Sequence, residues 1–478
     1  MKSWTLLVAL AASVSAVAAD KDKNKDKDKK KEAAAAPQAP AAGTPDALVR
    51  EAEAKVAAGD AKGAVDVLRR AAALPGAGGE VSLRLGRLLD EQLELDSAID
   101  AYTAAAAKLT GPSRAEALGR MAVDQELRAM PQSSATAAEA VAADATSAWA
   151  NVALARARAR EGKGDEALAL AQKAEAAGAG AAAVAAMGAA QEAQGDLAAA
   201  EASYRRAQAD GSQRVAAGLG LVRVLRKTAR AAEAEPLVKA ILEQAPGVVE
   251  AYKESARVKI ALGRASEATG DVATAAALSE NDPDARHLSL EVSVGRAVEL
   301  IALNRPDEAL AELKKVTEGD PAFAEAHFRT GWIYHVRKRD AAAALPHLEK
   351  AVAAAPASAE YRTQLGAALI DLKQFDRAAG ELAQATTGAG EKRAEGWIYL
   401  GAAKLGGKKY KEAVAALDKA TALSADNAMV EAYLAWSYFG LKDSKAFVAH
   451  ASRAKALGHK EPTLLDYLGR VEKGEPIK

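Results

Sequence analysis

Residues 365–385 read LGAALIDLKQFDRAAGELAQA, and the spacing within this stretch decides the fold. Gly366 is followed by Ala378 after twelve residues, by Leu382 after four more and by Ala385 after three. Steps of three or four return to one face of an α-helix, so Ala378, Leu382 and Ala385 form a single stripe. The step of twelve is too long for one face and crosses a turn between two helices. A small residue at each close contact lets the two backbones approach, and the larger Leu382 fills the space beside it.

The same steps recur on both sides of this stretch. They pick out Ala52, Ala64, Leu68 and Ala71, then Gly86, Ala98, Tyr102 and Ala105, then Ala155, Ala167, Ala171 and Ala174. Gly188, Ala200, Tyr204 and Ala207 follow, as do Ala256, Ala268, Val272 and Ala275. Copies fall about every 34 residues, the period of a helix–turn–helix repeat. One such unit cannot bury both of its apolar faces, so neighbours must stack. The pattern predicts an all-α solenoid of about twelve units running from Pro45 to the C-terminus. PTLLDYLGRVEK, residues 462–473, reads as a last helix covering the open end.

The positions resemble the tetratricopeptide repeat (TPR) family. There an aromatic residue opens the first helix and Leu-Gly and Tyr follow. Ala and a larger residue mark the second helix, and Pro closes the unit. Trp397, Leu400, Gly401, Ala413, Leu417 and Ala420 fit, with Lys404 in the place of the Tyr. Gly331, Tyr334, Ala344, Leu348, Ala351 and Pro356 fit with one extra residue, placed in the turn around Asp340. Ala297, Ala309, Leu313, Val316 and Pro321 fit as well. The resemblance covers nearly the whole chain after residue 44. It implies a right-handed superhelix that binds other proteins along a concave groove lined by the first helices.

In that family the groove positions lie three before, one after and four after the small residue of the first helix. Around Gly331 they are Phe328, Trp332 and His335. Around Ala435 they are Ala432, Trp436 and Phe439, and around Ala256 they are Lys253, Arg257 and Ile260. The large residues among them could equally pack between units. One family mode clamps a peptide carboxylate with Lys and Asn; Lys253 suits it, but Arg257 stands where Asn belongs.

Some units depart from the pattern. Between Ala122 and Ala138 the small residue of the second helix reads as Ser134, just after Pro131. Pro236 and Pro346 sit two residues past the expected Ala, so those helices should start late or bend. About seven extra residues separate Ala256 from Ala297, where NDPD at 281–284 reads as a turn or longer loop and a joint between two sub-arrays. The division expected is an Ala-rich array over 45–283 and an aromatic-richer one over 284–478. All five Phe, three of five Trp and seven of ten Tyr lie after residue 320. Binding anchors are therefore expected in the second array, since aromatics carry much interface energy.

The N-terminus has the layout of a secretory signal peptide: Met1 and Lys2, an apolar run from Trp4 to Val14, and small residues before a cleavage point near Ala18 or Ala19. Residues 20–32, DKDKNKDKDKKKE, lack apolar content and read as a solvated spacer, disordered together with the Ala/Pro stretch up to residue 44. Its lysines could also touch anionic lipid or cell wall. A periplasmic or secreted location follows, and a role in an envelope machine for motility, secretion, pili or polysaccharide export is what the resemblance implies for an exported TPR protein. The alternative reading is a cell-wall or carbohydrate-binding module.

Lys and Arg number 64, as do Asp and Glu, so no basic stripe for nucleic acid is expected. There is no Cys, which excludes disulfides, thiol chemistry and lipidation at cysteine. No nucleophile elbow and no metal-binding His-Glu-x-x-His occur. Glu161-Gly162-Lys163-Gly164-Asp165 lacks the Ser or Thr of a phosphate loop and reads as a tight turn. The six His, at 287, 327, 335, 347, 450 and 459, lack close ligand spacing. The chain is expected to have no catalytic role, cofactor or metal.

Overall fold

The computed structural model describes residues 43–210, 214–279 and 282–476. The expected leader and nearly all of the expected linker, residues 1–42, lie outside them. Among the described residues there are 25 α-helices and no strand. The first 24 alternate as twelve stacked pairs, from Pro45–Ala57 with Ala61–Ala73 to Ala428–Gly440 with Ser444–Ala456. The last, Pro462–Glu472, caps the end by burying Leu464 and Leu468 against Phe447.

Local chemistry sets the helix ends. Thr44 accepts a hydrogen bond from the Ala47 amide at 3.3 Å, with Pro45 at the first helical position. Asp60, Asp340, Ser358 and Asp443 cap other helices in the same way. Each of the twelve pairs turns through one left-handed residue. Glycine supplies it at Gly59, Gly162, Gly195 and Gly263. The other eight pairs use Leu93, Ala129, Ala229, Asn304, Arg339, Lys373, Lys408 and Lys442. The stretch at Gly162 is thus an inter-helix turn.

The stripe seen in the sequence is the core. Ala378, Leu382 and Ala385 are buried, as are Ala413, Leu417 and Ala420. A Cβ at Gly401 would lie 2.5 Å from Leu417 Cγ, and one at Gly86 2.5 Å from the Tyr102 ring. Glycine there is a packing requirement.

Four local expectations are corrected. In the third pair the second helix buries Ser133, Thr136, Ala137 and Ala140, so the stripe begins at Ser133, one residue earlier than Ser134. The extra residue of the ninth pair is absorbed in the first helix, not near Asp340. Ile333–Arg337 forms a π-helical turn in which the Lys338 amide donates to the Ile333 carbonyl at 3.0 Å. Of the two outcomes expected for the helices holding Pro236 and Pro346, the late start does not occur: they begin at Ala231 and Ala341, with the proline inside the helix. The expected loop at 281–284 begins a long helix instead: Asp282 caps Pro283–Ala302, whose 20 residues take up the added length; Asn281 itself lies outside the described residues.

The coil also touches itself. Leu95 and Leu127, from the second and third pairs, cluster with Val215, Leu219, Ile241, Ala245, Val248 and Ala251 of the sixth and seventh. Ala129 packs with Val249 and Tyr252. Small rotations between neighbouring units add up until these distant units meet.

Candidate functional site

The inner side of this closed coil is lined by six consecutive first helices, from Gly111–Leu127 to Pro283–Ala302. They enclose a cavity of about 350 Å³. Five cationic side chains, Arg156, Arg160, Arg223, Lys227 and Arg257, meet five acidic ones, Glu126, Glu192, Glu250, Glu254 and Asp284.

The charges are paired from unit to unit. Arg156 donates through Nε and Nη2 to both oxygens of Glu126, at 2.8 and 2.9 Å. Glu192 accepts from Lys227 at 2.9 Å and from Tyr204 Oη at 3.1 Å, and pairs with Arg223 at 3.3 Å. Arg257 bridges Glu254 at 3.2 Å and Asp284 at 2.8 Å. Burial pushes the Glu126 carboxyl up, yet Arg156 and Arg160 pull it below its ordinary range. Glu192 is lowered likewise, by Arg223 and Lys227 against the effect of burial. At Glu250 burial wins over Lys253 and its carboxyl is raised. Pairs of this kind contribute little net stability, because desolvation offsets the attraction. Losing one partner is costly, about 3–5 kcal/mol. The groove therefore presents guanidinium and carboxylate groups held in fixed positions by one another.

The residues singled out in the sequence fall in three places. Arg257 lines the cavity, but Lys253 turns inward. It is 2% exposed and pairs with Glu250, with Asp282 at 2.8 Å and with Asp284 at 3.0 Å. Phe328 is buried and stacks on Tyr361 at 4.6 Å between ring centroids. Trp332 is half-buried against the cluster around Leu313, with Arg337 over its ring. His335 lies 2.8 Å from Asp371 Oδ2 and 2.7 Å from the Gln364 amide of the next pair. Trp436 and Phe439 pack edge-on against Tyr467 of the capping helix, and Trp436 Nε1 donates to Glu461 at 3.1 Å. The structure thus does not bring the seven together. The groove charges of the alanine-rich half follow the same positional rule, Arg156 one after Ala155 and Glu126 and Glu192 four after Ala122 and Gly188, while Arg223 follows Val222, where a valine stands in place of the small residue.

Among the described residues no three His, Asp or Glu side chains converge as a metal site. No helix among them is long and apolar enough to cross a membrane.

Residues 294–359 match the family profile of the tetratricopeptide repeat. No curated protein matches the chain. Similar solved structures include the Cut9–Hcn1 hetero-tetramer of the APC/C, 14% identical over 90% of each chain with a TM-score of 0.44. Another is YrrB, described as a TPR protein with an unusual peptide-binding site. It is 20% identical, covers 41% of this chain and 96% of its own, and has a TM-score of 0.35. MamA of Desulfovibrio magneticus, residues 41 to the end, is 20% identical over 36% of this chain and 97% of its own, with a TM-score of 0.33.

The profile match covers the eighth and ninth pairs, and the same packing of small and large residues recurs in the others. Residues 294–359 are thus similar to tetratricopeptide repeats, and the described helices pair in the manner of a tetratricopeptide-like solenoid. The fold is that of a protein-interaction scaffold.

Proposed function

We propose that this protein is an exported bacterial scaffold that holds partner proteins at the cell envelope. It docks a partner segment carrying both acidic and basic side chains in the charged groove. One observation carries the reading: ten charged side chains from six consecutive first helices converge on a single cavity. Paired charges at such a surface favour specificity and register more than raw affinity. The leader-like residues 1–19 and the Lys/Asp stretch after them support export and a spaced array.

The test is photo-cross-linking in living cells from Arg160 and Lys227, both exposed at the groove. Glu243, on a second helix, is the control. One protein partner captured from both groove positions and not from Glu243, and lost with Arg160→Glu/Lys227→Glu, supports the reading. Equal capture from Glu243, or none from the groove, overturns it. Export is checked by fractionation and N-terminal sequencing. A mature chain starting at Ala19 or Asp20 outside the cytoplasm is expected, and an uncleaved cytoplasmic chain rejects it.

A further inference from the structure

The ninth pair brings together two histidines that lie twenty residues apart in the chain. His327 is on the first helix, Ala324–Trp332, and is buried at 3% exposure. His347 is on the second, Ala341–Ala354, and is half-buried. Their Nδ1 atoms are 3.4 Å apart.

The tautomer of His327 follows from its other nitrogen. Its Nε2 lies 3.0 Å from the Pro321 carbonyl, which can only accept. Nε2 therefore carries the hydrogen, and Nδ1 directs a lone pair toward His347. The gap between the two Nδ1 atoms exceeds the roughly 2.7–3.2 Å of a good N–H hydrogen bond. It equals the edge of a tetrahedral metal site. Bonds of about 2.0–2.1 Å at the tetrahedral angle hold two imidazole nitrogens about 3.4 Å apart.

The surroundings fit as well. An imidazole bound to a metal usually donates its second N–H to a carbonyl or carboxylate, and Pro321 already fills that role. Tyr334 stacks over His347 at 6.0 Å between centroids and orients its ring. Lys350, on the same helix as His347, opposes a cation, but it is exposed and its field is screened.

We propose that His327 and His347 form a two-imidazole site for a divalent transition-metal ion of the zinc class, which would clamp the two helices of the ninth pair. Imidazole suits zinc, copper and nickel more than the hard cations. With two protein donors, the remaining positions are open to water or to a side chain of a docked partner.

The test uses the full chain without an affinity tag and Zn²⁺ as the probe. Calorimetry should find one ion bound per chain, and Tm should rise with Zn²⁺ concentration, as mass action requires. Binding should weaken as pH falls through the imidazole range. It should vanish in His347→Gln and persist in His287→Gln and His450→Gln. Since the His327 ring is buried and its variant can misfold, the half-exposed His347 carries the test, with helix content checked by circular dichroism. Unchanged binding in a folded His347→Gln, or neither heat nor Tm shift at millimolar Zn²⁺, overturns the site and leaves the pair as a hydrogen bond only.

Discussion

Arg128 donates through Nη1 to the carbonyl of Gly247, 2.7 Å away and 119 positions further along the chain. The same guanidinium holds Asp96 through Nε at 2.7 Å. This contact closes the seam between the second and third pairs and the sixth and seventh. It lies beside the apolar contacts of Leu95 and Leu127 with Val215, Leu219 and Ile241. Repeat proteins are otherwise built from nearest-neighbour contacts, so the seam is an added, long-range term.

Arg128→Glu should loosen the seam without unwinding its own helix. A lost charged hydrogen bond costs about 1.5–3 kcal/mol, and the new charge also faces Asp96. The expected result is a larger radius of gyration by X-ray scattering at unchanged helix content. Unchanged dimensions would mean that the apolar contacts alone hold the seam.

Two glycines on helices should respond in opposite ways to alanine. At Gly401 the new methyl group meets Leu417 at 2.5 Å, and overpacking of this kind costs about 1–3 kcal/mol. At Gly380 nothing lies within 4 Å, so better helix propensity should add up to about 1 kcal/mol. Denaturant melts of Gly401→Ala and Gly380→Ala read both signs directly.

Phe447 is fully buried where the repeat usually has Ala, and it fills the space between the last pair and the cap. Phe447→Ala should cost about 3–5 kcal/mol. In a solenoid that loss stays local. Hydrogen exchange should quicken over residues 428–472 and stay unchanged in the N-terminal pairs. Uniform quickening along the chain would contradict this.

Asp124 gives a pH dependence with a definite sign. Burial, then repulsion from Asp90, raises its carboxyl well above the ordinary range, against the pull of Arg120. A group raised in the folded state supports folding while protonated. That support is complete below the ordinary Asp value of about 3.9 and is lost as pH rises through the folded value. Asp124→Asn copies the protonated shape without the charge. The variant should match the parent in mild acid and gain in relative Tm toward neutral pH. A difference that does not change with pH would place the Asp124 carboxyl in its ordinary range.

Much of this architecture was readable from the chain. The steps from Gly366 to Ala385 gave helix pairing, the buried stripe and the number of units, because a contact between adjacent helices depends only on local spacing. Thr44-Pro45 and PTLLDYLGRVEK marked the two ends for equally local reasons. The misses were of two kinds. Extra residues near Asp340 and at 281–284 looked like loop length, but a helix can absorb one residue as a π turn or several as added turns, and hydrophobic period does not separate these outcomes. Trp436 and Phe439 looked like groove anchors, but side-chain type does not say which of two neighbouring surfaces an aromatic ring faces.

What the amino-acid order determined by itself is the repeating unit, since every contact inside it joins residues a few turns apart. Only the tertiary structure decided that Arg128 meets Gly247, that five acidic and five basic side chains share one cavity, and that His327 faces His347. The first two depend on small rotations summed over four or more units, a quantity no single repeat encodes. The third depends on a π-helical turn and the packing of one pair, which fix where two imidazole rings point.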